Sequence, residues 1–214
     1  MDRKILLSTA YFGSIQYFTK FLLPGTIEIE YHENFIKQTY RNRCTIAGAN
    51  GPLNLTVPVL RGSFHKTSIK ELKIDYTKRW QDVHWRAIES GYRSAPFFDY
   101  YEEEIKPFIV KRTKFLIDFN NELTNAILVI LGIETPIVNT ETYIRIDVMD
   151  NVMDYRESIR PKRTIPDKDF QPYPYHQVFE EKIGFIENLS ILDLIFNSGP
   201  ESINILNKSN IKNI

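Results

Sequence analysis

Only one cysteine, Cys44, occurs in 214 residues, so no disulfide can form within the chain and nothing ties it to an oxidising compartment. The four histidines, His32, His65, His84 and His176, are too scattered for metal-ligand spacing, and no zinc site is expected. Long apolar runs are missing. The longest, Ala126 to Ile133, falls well short of the roughly 20 residues that cross a bilayer, so no membrane span is expected. Ile5-Leu6-Leu7, after the charged start, is shorter than the about 7–15 residues of a signal-peptide core, which makes the cytoplasm the expected compartment. Neither charge sign dominates: 27 basic side chains face 27 acidic ones, which argues against bulk attraction to nucleic acid or membrane. Neither a GxGxxG nor a GxxxxGK[ST] pattern is present, and no cofactor is indicated.

What is present is an ordinary globular composition, 43% apolar and 25% charged, with 12 Tyr and 14 Phe supplying large amphipathic contact surfaces. The length suits one core. Ile5 to Ala10 reads as a buried strand, Ile15 to Leu22 as a short helix stopped by Pro24-Gly25, and Thr26 to Tyr31 as a second strand with period-two alternation. Strand-like segments follow at Cys44–Ala47, Leu53–Val59 and Ile69–Ile74, with Gly48 to Pro52 as a hairpin loop and Pro58 pushing its strand towards an edge. From Thr77 the period becomes helical. Helices are expected over about 78–90, from near Pro96, and from Phe115 to a stop at Gly132. Tyr143–Ile146 and Gln177–Phe179 read as short strands. Residues 147–175, with Pro161, Pro166, Pro172 and Pro174, form a long irregular loop of the kind that carries binding sites. Ser190 with Asp193 resembles a capping box opening a last helix that Gly199-Pro200 ends. The expected architecture is a single α/β domain over residues 1–214, with a mixed sheet and the central helices packed on it. Strands that cluster ahead of helices make α+β the alternative.

Local charge is the strongest functional signal. Arg156, Arg160, Lys162 and Arg163 crowd into a short stretch, with Pro161 stiffening it, and Arg41 and Arg43 form a second cluster far upstream. Guanidinium groups make bidentate, charge-assisted hydrogen bonds to phosphate and carboxylate. If folding joins the two clusters, they form a pocket for a small anionic ligand; otherwise they are solvated charges paired with nearby Asp and Glu. In an extended segment Arg41 and Arg43 would point to the same side and reach one anion. Trp80, His84, Ile88 and Tyr92 share one helix face, which makes His84 either an acid–base group or a packed core histidine. His176 is the second acid–base candidate. Tyr11 lies in a strand-to-helix turn whose free N–H groups could face an anion. His32 and Glu33 stand at a strand end, where α/β proteins bind ligands. Cys44 reads as a small buried hydrophobe rather than a nucleophile.

Several segments together resemble the WbqC-like family of bacterial proteins. These are Ala10-Tyr11-Phe12-Gly13-Ser14-Ile15-Gln16-Tyr17-Phe18, Asn42-Arg43, Leu55-Thr56-Val57-Pro58-Val59, Trp80 with His84, Tyr92-Arg93-Ser94-Ala95-Pro96-Phe97-Phe98, and Asn188-Leu189-Ser190-Ile191-Leu192-Asp193-Leu194. The resemblance implies a place in bacterial surface-polysaccharide (O-antigen) biosynthesis, with amino-acyl, acyl or glycosyl transfer as the suggested chemistry. This chain departs from the family's Gln-Pro-Tyr opening: Ser8-Thr9-Ala10-Tyr11 keeps only the tyrosine. The expectation is therefore a transferase that holds an anionic donor, a nucleotide-sugar or acyl donor, on Tyr11, Arg41, Arg43, Arg156, Arg160 and Arg163, with His84 or His176 as base. The alternatives are a non-catalytic binding protein or an assembly module of the same pathway.

Overall fold

The computed structural model describes residues 3–60, 67–146, 151–162 and 165–211. In chain order the elements are β1 (Lys4–Leu7), α1 (Ile15–Thr19) running into a 3-10 turn, β2 (Thr26–Ile29), β3 (Arg43–Gly48), β4 (Gly51–Thr56), β5 (Val59–Leu60) and β6 (Lys73–Ile74). Then come α2 (Trp80–Tyr92), α3 (Phe98–Val110), α4 (Leu116–Leu131), β7 (Ile137–Asn139), β8 (Val152–Asp154), α5 (Glu180–Ile183), α6 (Ile191–Ser198) and α7 (Ser202–Lys208).

Ile5, Leu6 and Leu7 are all 0% exposed, as a strand buried on both faces of a parallel sheet requires. β1 pairs in parallel with β2 on one side and β8 on the other, and β7 adds to β2, giving the order β7-β2-β1-β8. The fold is α/β, with helices flanking this parallel sheet. The antiparallel pairs expected within a mixed sheet form two separate ribbons instead, β3 with β4 and β5 with β6. Pro58 divides the expected Leu53–Val59 strand between those ribbons. Ile69–Glu71 is a 3-10 turn, which leaves only Lys73–Ile74 extended.

Two expected strands are absent, each for a readable reason. At Tyr143–Ile146 the Ile144 N–H donates to Glu30 Oε2 at 3.0 Å and its carbonyl accepts from Arg156 at 3.0 Å, so side chains take the groups a neighbouring strand would have taken. At Gln177 the side-chain amide pairs with the Ile186 N–H and C=O, both at 2.9 Å, in place of a strand partner. The helices fall close to their expected positions, and Gly132 caps α4 in the left-handed region at φ 66°. The Ser190–Asp193 capping box is not formed. Ser190 Oγ accepts from Leu192, but the Ser190 N–H goes to Thr45 O, and Asp193 turns inwards.

The irregular stretch after β8 is not a solvated loop. Tyr155, Ile159, Phe170 and Tyr175 join the main core. A fully buried ion pair, Lys20 Nζ to Asp167 Oδ2 at 2.7 Å, ties the stretch to the end of α1, with Gln16 Nε2 on the same carboxylate oxygen at 2.8 Å.

Candidate functional site

The chain runs outwards from β1 to β2 to β7, then returns to the far side of β1 for β8. Strand order therefore reverses between β1 and β8, and ligands of open α/β sheets bind beyond the carboxyl ends at such a point. Four segments meet there: Ser8-Thr9 after β1, Glu30 to Glu33 after β2, Thr140 after β7, and Tyr155-Arg156 after β8.

Two arginine–carboxylate clusters fill the crevice. Arg41, 2% exposed, donates from Nε to Glu33 Oε1 at 2.7 Å and from Nη2 to Glu33 Oε2 and to Ser8 Oγ, the latter at 2.8 Å. Ser8 in turn donates to Glu33 Oε2 at 3.1 Å. Arg156, 7% exposed, donates to Asp154 Oδ1 and Oδ2 at 3.0 Å each, to Glu30 Oε2 at 2.9 Å and to the Ile144 carbonyl. Glu30, 0% exposed, also accepts from Thr140 Oγ1 at 2.8 Å and from the His32 N–H at 2.9 Å. Buried charges persist only when paired and hydrogen-bonded to this degree. Between the clusters lies a cavity of about 10 Å³, room for about one water, lined by Ser8, Thr9, Tyr17, Tyr40 and Tyr155 as well as both arginines.

Residues 155–162 roof this crevice, and a cleft opens on each side. One, of about 510 Å³, has Glu33, Asp154, Glu157, Arg145 and Arg156 in its wall, with Tyr143 and Ile146 beside them. The other, of about 430 Å³, is lined among the described residues by Arg43, Arg160 and Lys162 against one carboxylate, Glu187, with Tyr40 and Asn188 in its wall. The roof is held down by Tyr155, whose hydroxyl donates to Asp169 Oδ2 at 2.5 Å and whose ring carries Lys20 Nζ at 4.5 Å. Burial and the Asp169 carboxylate push that hydroxyl far above its ordinary pKa.

The structure sorts the arginines rather than pooling them. Arg41 and Arg43 do not reach one anion: Arg41 is locked on Glu33, while Arg43, the first residue of β3, reaches Thr56 Oγ1 at 3.2 Å and lines the basic cleft. Arg156 belongs with Arg41 in the buried crevice, and Arg160 with Arg43 in the basic cleft. Arg163 lies outside the described residues. Tyr11 and His84 share a hydrogen bond of 2.8 Å, and both are buried. Burial lowers the His84 pKa to about 4, so the ring is neutral near pH 7. His176 lies at the surface, with Nδ1 3.6 Å from Glu180 Oε2. The two histidines thus occupy unrelated environments. Cys44 is fully buried, and burial raises its thiol pKa far above the ordinary value. Glu33 lies beyond the carboxyl end of β2, paired with Arg41 and in the wall of the larger cleft. Glu30, just after β2, escaped the sequence reading although its position was the signal, whereas Asp154 and Glu157 are among the nearby acids expected to pair with the basic stretch, and they pair with Arg156 and Arg160. Among the described residues no group of three or more His, Cys, Asp or Glu is placed to hold a metal ion.

A parallel sheet whose strand order reverses above a polar crevice defines an α/β protein. The chain belongs to the WbqC-like protein family, whose family model matches residues 9–165. That span carries both arginine clusters and the roof. The chain is also 28% identical over 214 residues to the uncharacterized protein Rv1507c of Mycobacterium tuberculosis, covering 90% of this chain and 89% of that protein. No solved structure matches it. No helix among the described residues is long and apolar enough to cross a membrane.

Proposed function

We propose that this protein is a cytoplasmic transferase of bacterial surface-polysaccharide assembly that holds an anionic donor, a nucleotide-sugar or an acyl or amino-acyl carrier, in the basic cleft. One observation carries this reading: Arg43, from before the helical middle of the chain, and Arg160 and Lys162, from after it, line the same cleft. The two interior arginines are already matched by carboxylates, so anion recognition falls to the outer set. Arg160 Nη2 takes Glu157 in a part-exposed pair, and the guanidinium is the kind of fork that holds a phosphate or carboxylate oxygen. Tyr11 and His84 act as positioning residues, because the Tyr11 N–H donates to the carbonyl of Tyr40, a wall residue of the cleft. His176 is the histidine left to take the acceptor proton.

Thermal-shift and calorimetric titration with inorganic pyrophosphate, uridine-diphosphate sugars and acyl thioesters tests the reading. A ligand at 100 times its Kd adds about 2.7 kcal/mol to folded-state stability. Arg43→Ala and Arg160→Ala should each abolish most of that gain. Retention of the gain in both variants rejects the basic cleft as the site. A binding protein without catalysis is the second reading, favoured because no histidine is among the described residues lining the cleft. His176→Ala separates the two: under the transferase reading turnover falls while affinity stays.

A further inference from the structure

The larger cleft, on the other side of the roof, has a different chemistry. Its wall carries three carboxylates, Glu33, Asp154 and Glu157, against two guanidinium groups, Arg145 and Arg156. Each carboxylate already has a cationic partner: Arg41, Arg156 and Arg160 respectively. With Glu30, which also pairs with Arg156, four carboxylates face four guanidinium groups (Arg41, Arg145, Arg156 and Arg160), so the described residues around this wall carry no net charge to draw in a cation or an anion. What it offers is hydrogen-bond acceptors, because a carboxylate keeps lone-pair sites beyond those an arginine takes. Arg156 adds little as a matching donor, since four of its five side-chain N–H groups are committed to Glu30, Asp154 and the Ile144 carbonyl. Around these acceptors stands an apolar rim, with Tyr143 52% exposed, Ile146 44% and Ile36 39%. The Tyr143 ring is backed by the Arg156 guanidinium at 4.9 Å, which fixes it as a platform.

Acceptors beside an exposed aromatic and aliphatic rim suit an uncharged molecule that has both hydroxyl donors and a C–H face. We propose that this cleft binds a polyhydroxyl ligand of the pyranoside class, and that Glu157 is shared between it and the basic cleft. Glu157 lines the larger cleft, its ion-pair partner Arg160 lines the basic one, and the pair bridges the wall between them. Glu157 is 48% exposed, so the pair is weak enough to exchange. An anion that takes Arg160 releases Glu157 to accept from a hydroxyl next door, and by linkage a ligand that occupies Glu157 favours the anion. This coupling rests on the anion-binding reading of the basic cleft, whereas the pyranoside cleft stands without it.

Saturation-transfer NMR with a panel of methyl hexopyranosides, together with pyrophosphate calorimetry, tests both parts. The wild type should transfer saturation to at least one glycoside, and Tyr143→Ala should bring that signal to background. Glu157→Gln should weaken the glycoside and tighten pyrophosphate, each by about two- to fivefold. Arg43→Ala should lose pyrophosphate and leave the glycoside untouched. Both Tyr143 and Glu157 are exposed, so these variants should fold, and thermal melts check that they do. Ile146→Ser provides a second variant of the rim, with the same expected loss of glycoside. No transfer to any glycoside, or a signal unchanged in both rim variants, overturns the pyranoside cleft. Glu157→Gln effects of the same sign on both ligands, or none, overturn the sharing. A wild type that takes glycoside but not pyrophosphate keeps this cleft and rejects the basic one.

Discussion

Tyr11 and His84, 73 residues apart, share a 2.8 Å hydrogen bond inside the core, with Trp80 against the imidazole and Phe119 stacked on the tyrosine. The histidine is buried enough that its proton affinity in the folded state drops to about pH 4, against an ordinary 6.5. Between those values the unfolded chain takes up a proton that the folded chain refuses, so this group's contribution makes stability fall as pH falls from 6.5 to 4. The loss should reach up to about 3 kcal/mol. His84→Phe keeps an aromatic ring in the core, removes this pH dependence, and leaves the Tyr11 hydroxyl unpaired at a cost of about 1–3 kcal/mol near pH 7, in addition to any strain from the larger ring. Urea unfolding of both proteins at pH 7 and pH 5 checks it: equal slopes would mean that His84 is not the titrating group.

Asp193 works in the opposite direction. Its carboxylate, 0% exposed, accepts from Tyr92 at 2.9 Å and from Tyr175 at 2.6 Å, and burial lifts its pKa to about 6 from 3.8. The folded chain holds this proton in the window from 3.8 to 6, so the group's contribution to stability increases as pH falls through it. Asp193→Ala strips a partner from two buried hydroxyls and should cost about 2–4 kcal/mol by urea unfolding. Asp193→Asn, of the same shape, should lose less than half as much at pH 8.

The Arg41–Glu33 pair should show the asymmetry of buried charges. Arg41→Met alone leaves a buried carboxylate uncompensated and should cost about 3–5 kcal/mol, whereas adding Glu33→Leu should restore at least half of the loss. Chemical denaturation of the two singles and the double decides it, and additive losses would reject the pair as a coupled unit.

Two glycines at positive φ make a contrasting test. At Gly25, φ 137°, an added Cβ would sit 2.1 Å from the Arg3 carbonyl, which accepts the Thr26 N–H beside the first pairing of β1 with β2. Gly25→Ala should therefore cost at least about 3 kcal/mol. Gly132, φ 66°, has open space around the same atom, so Gly132→Ala should show only the left-handed backbone penalty of about 1–2 kcal/mol. Similar Tm losses for both would contradict the contact at Gly25.

The longer helices were legible because their signals are local. Phe119, Leu123, Ile127 and Leu131 repeat at helical spacing, and Gly132 can adopt the left-handed cap that ends α4. β7 and β8 were not legible. Three residues such as Val152-Met153-Asp154 hold no periodicity to speak of, and they are strands because β1 lies beside them with matching register. Tyr143–Ile146 shows the converse: its alternation suits a strand, but Glu30 and Arg156 satisfy the Ile144 backbone first.

The amino-acid order by itself determined that two cation-rich segments flank a helical middle, and that Arg156 and Arg160 share one stiff stretch. Which of those cations is spent internally was decided only in three dimensions. Arg156 meets Glu30 across 126 positions of chain, and Arg41 is enclosed with Glu33, while Arg43 and Arg160 are left facing a cleft. The reason is physical: Coulomb attraction and the cost of losing water depend on distance and burial in space, and neither is written in the spacing of residues along a chain.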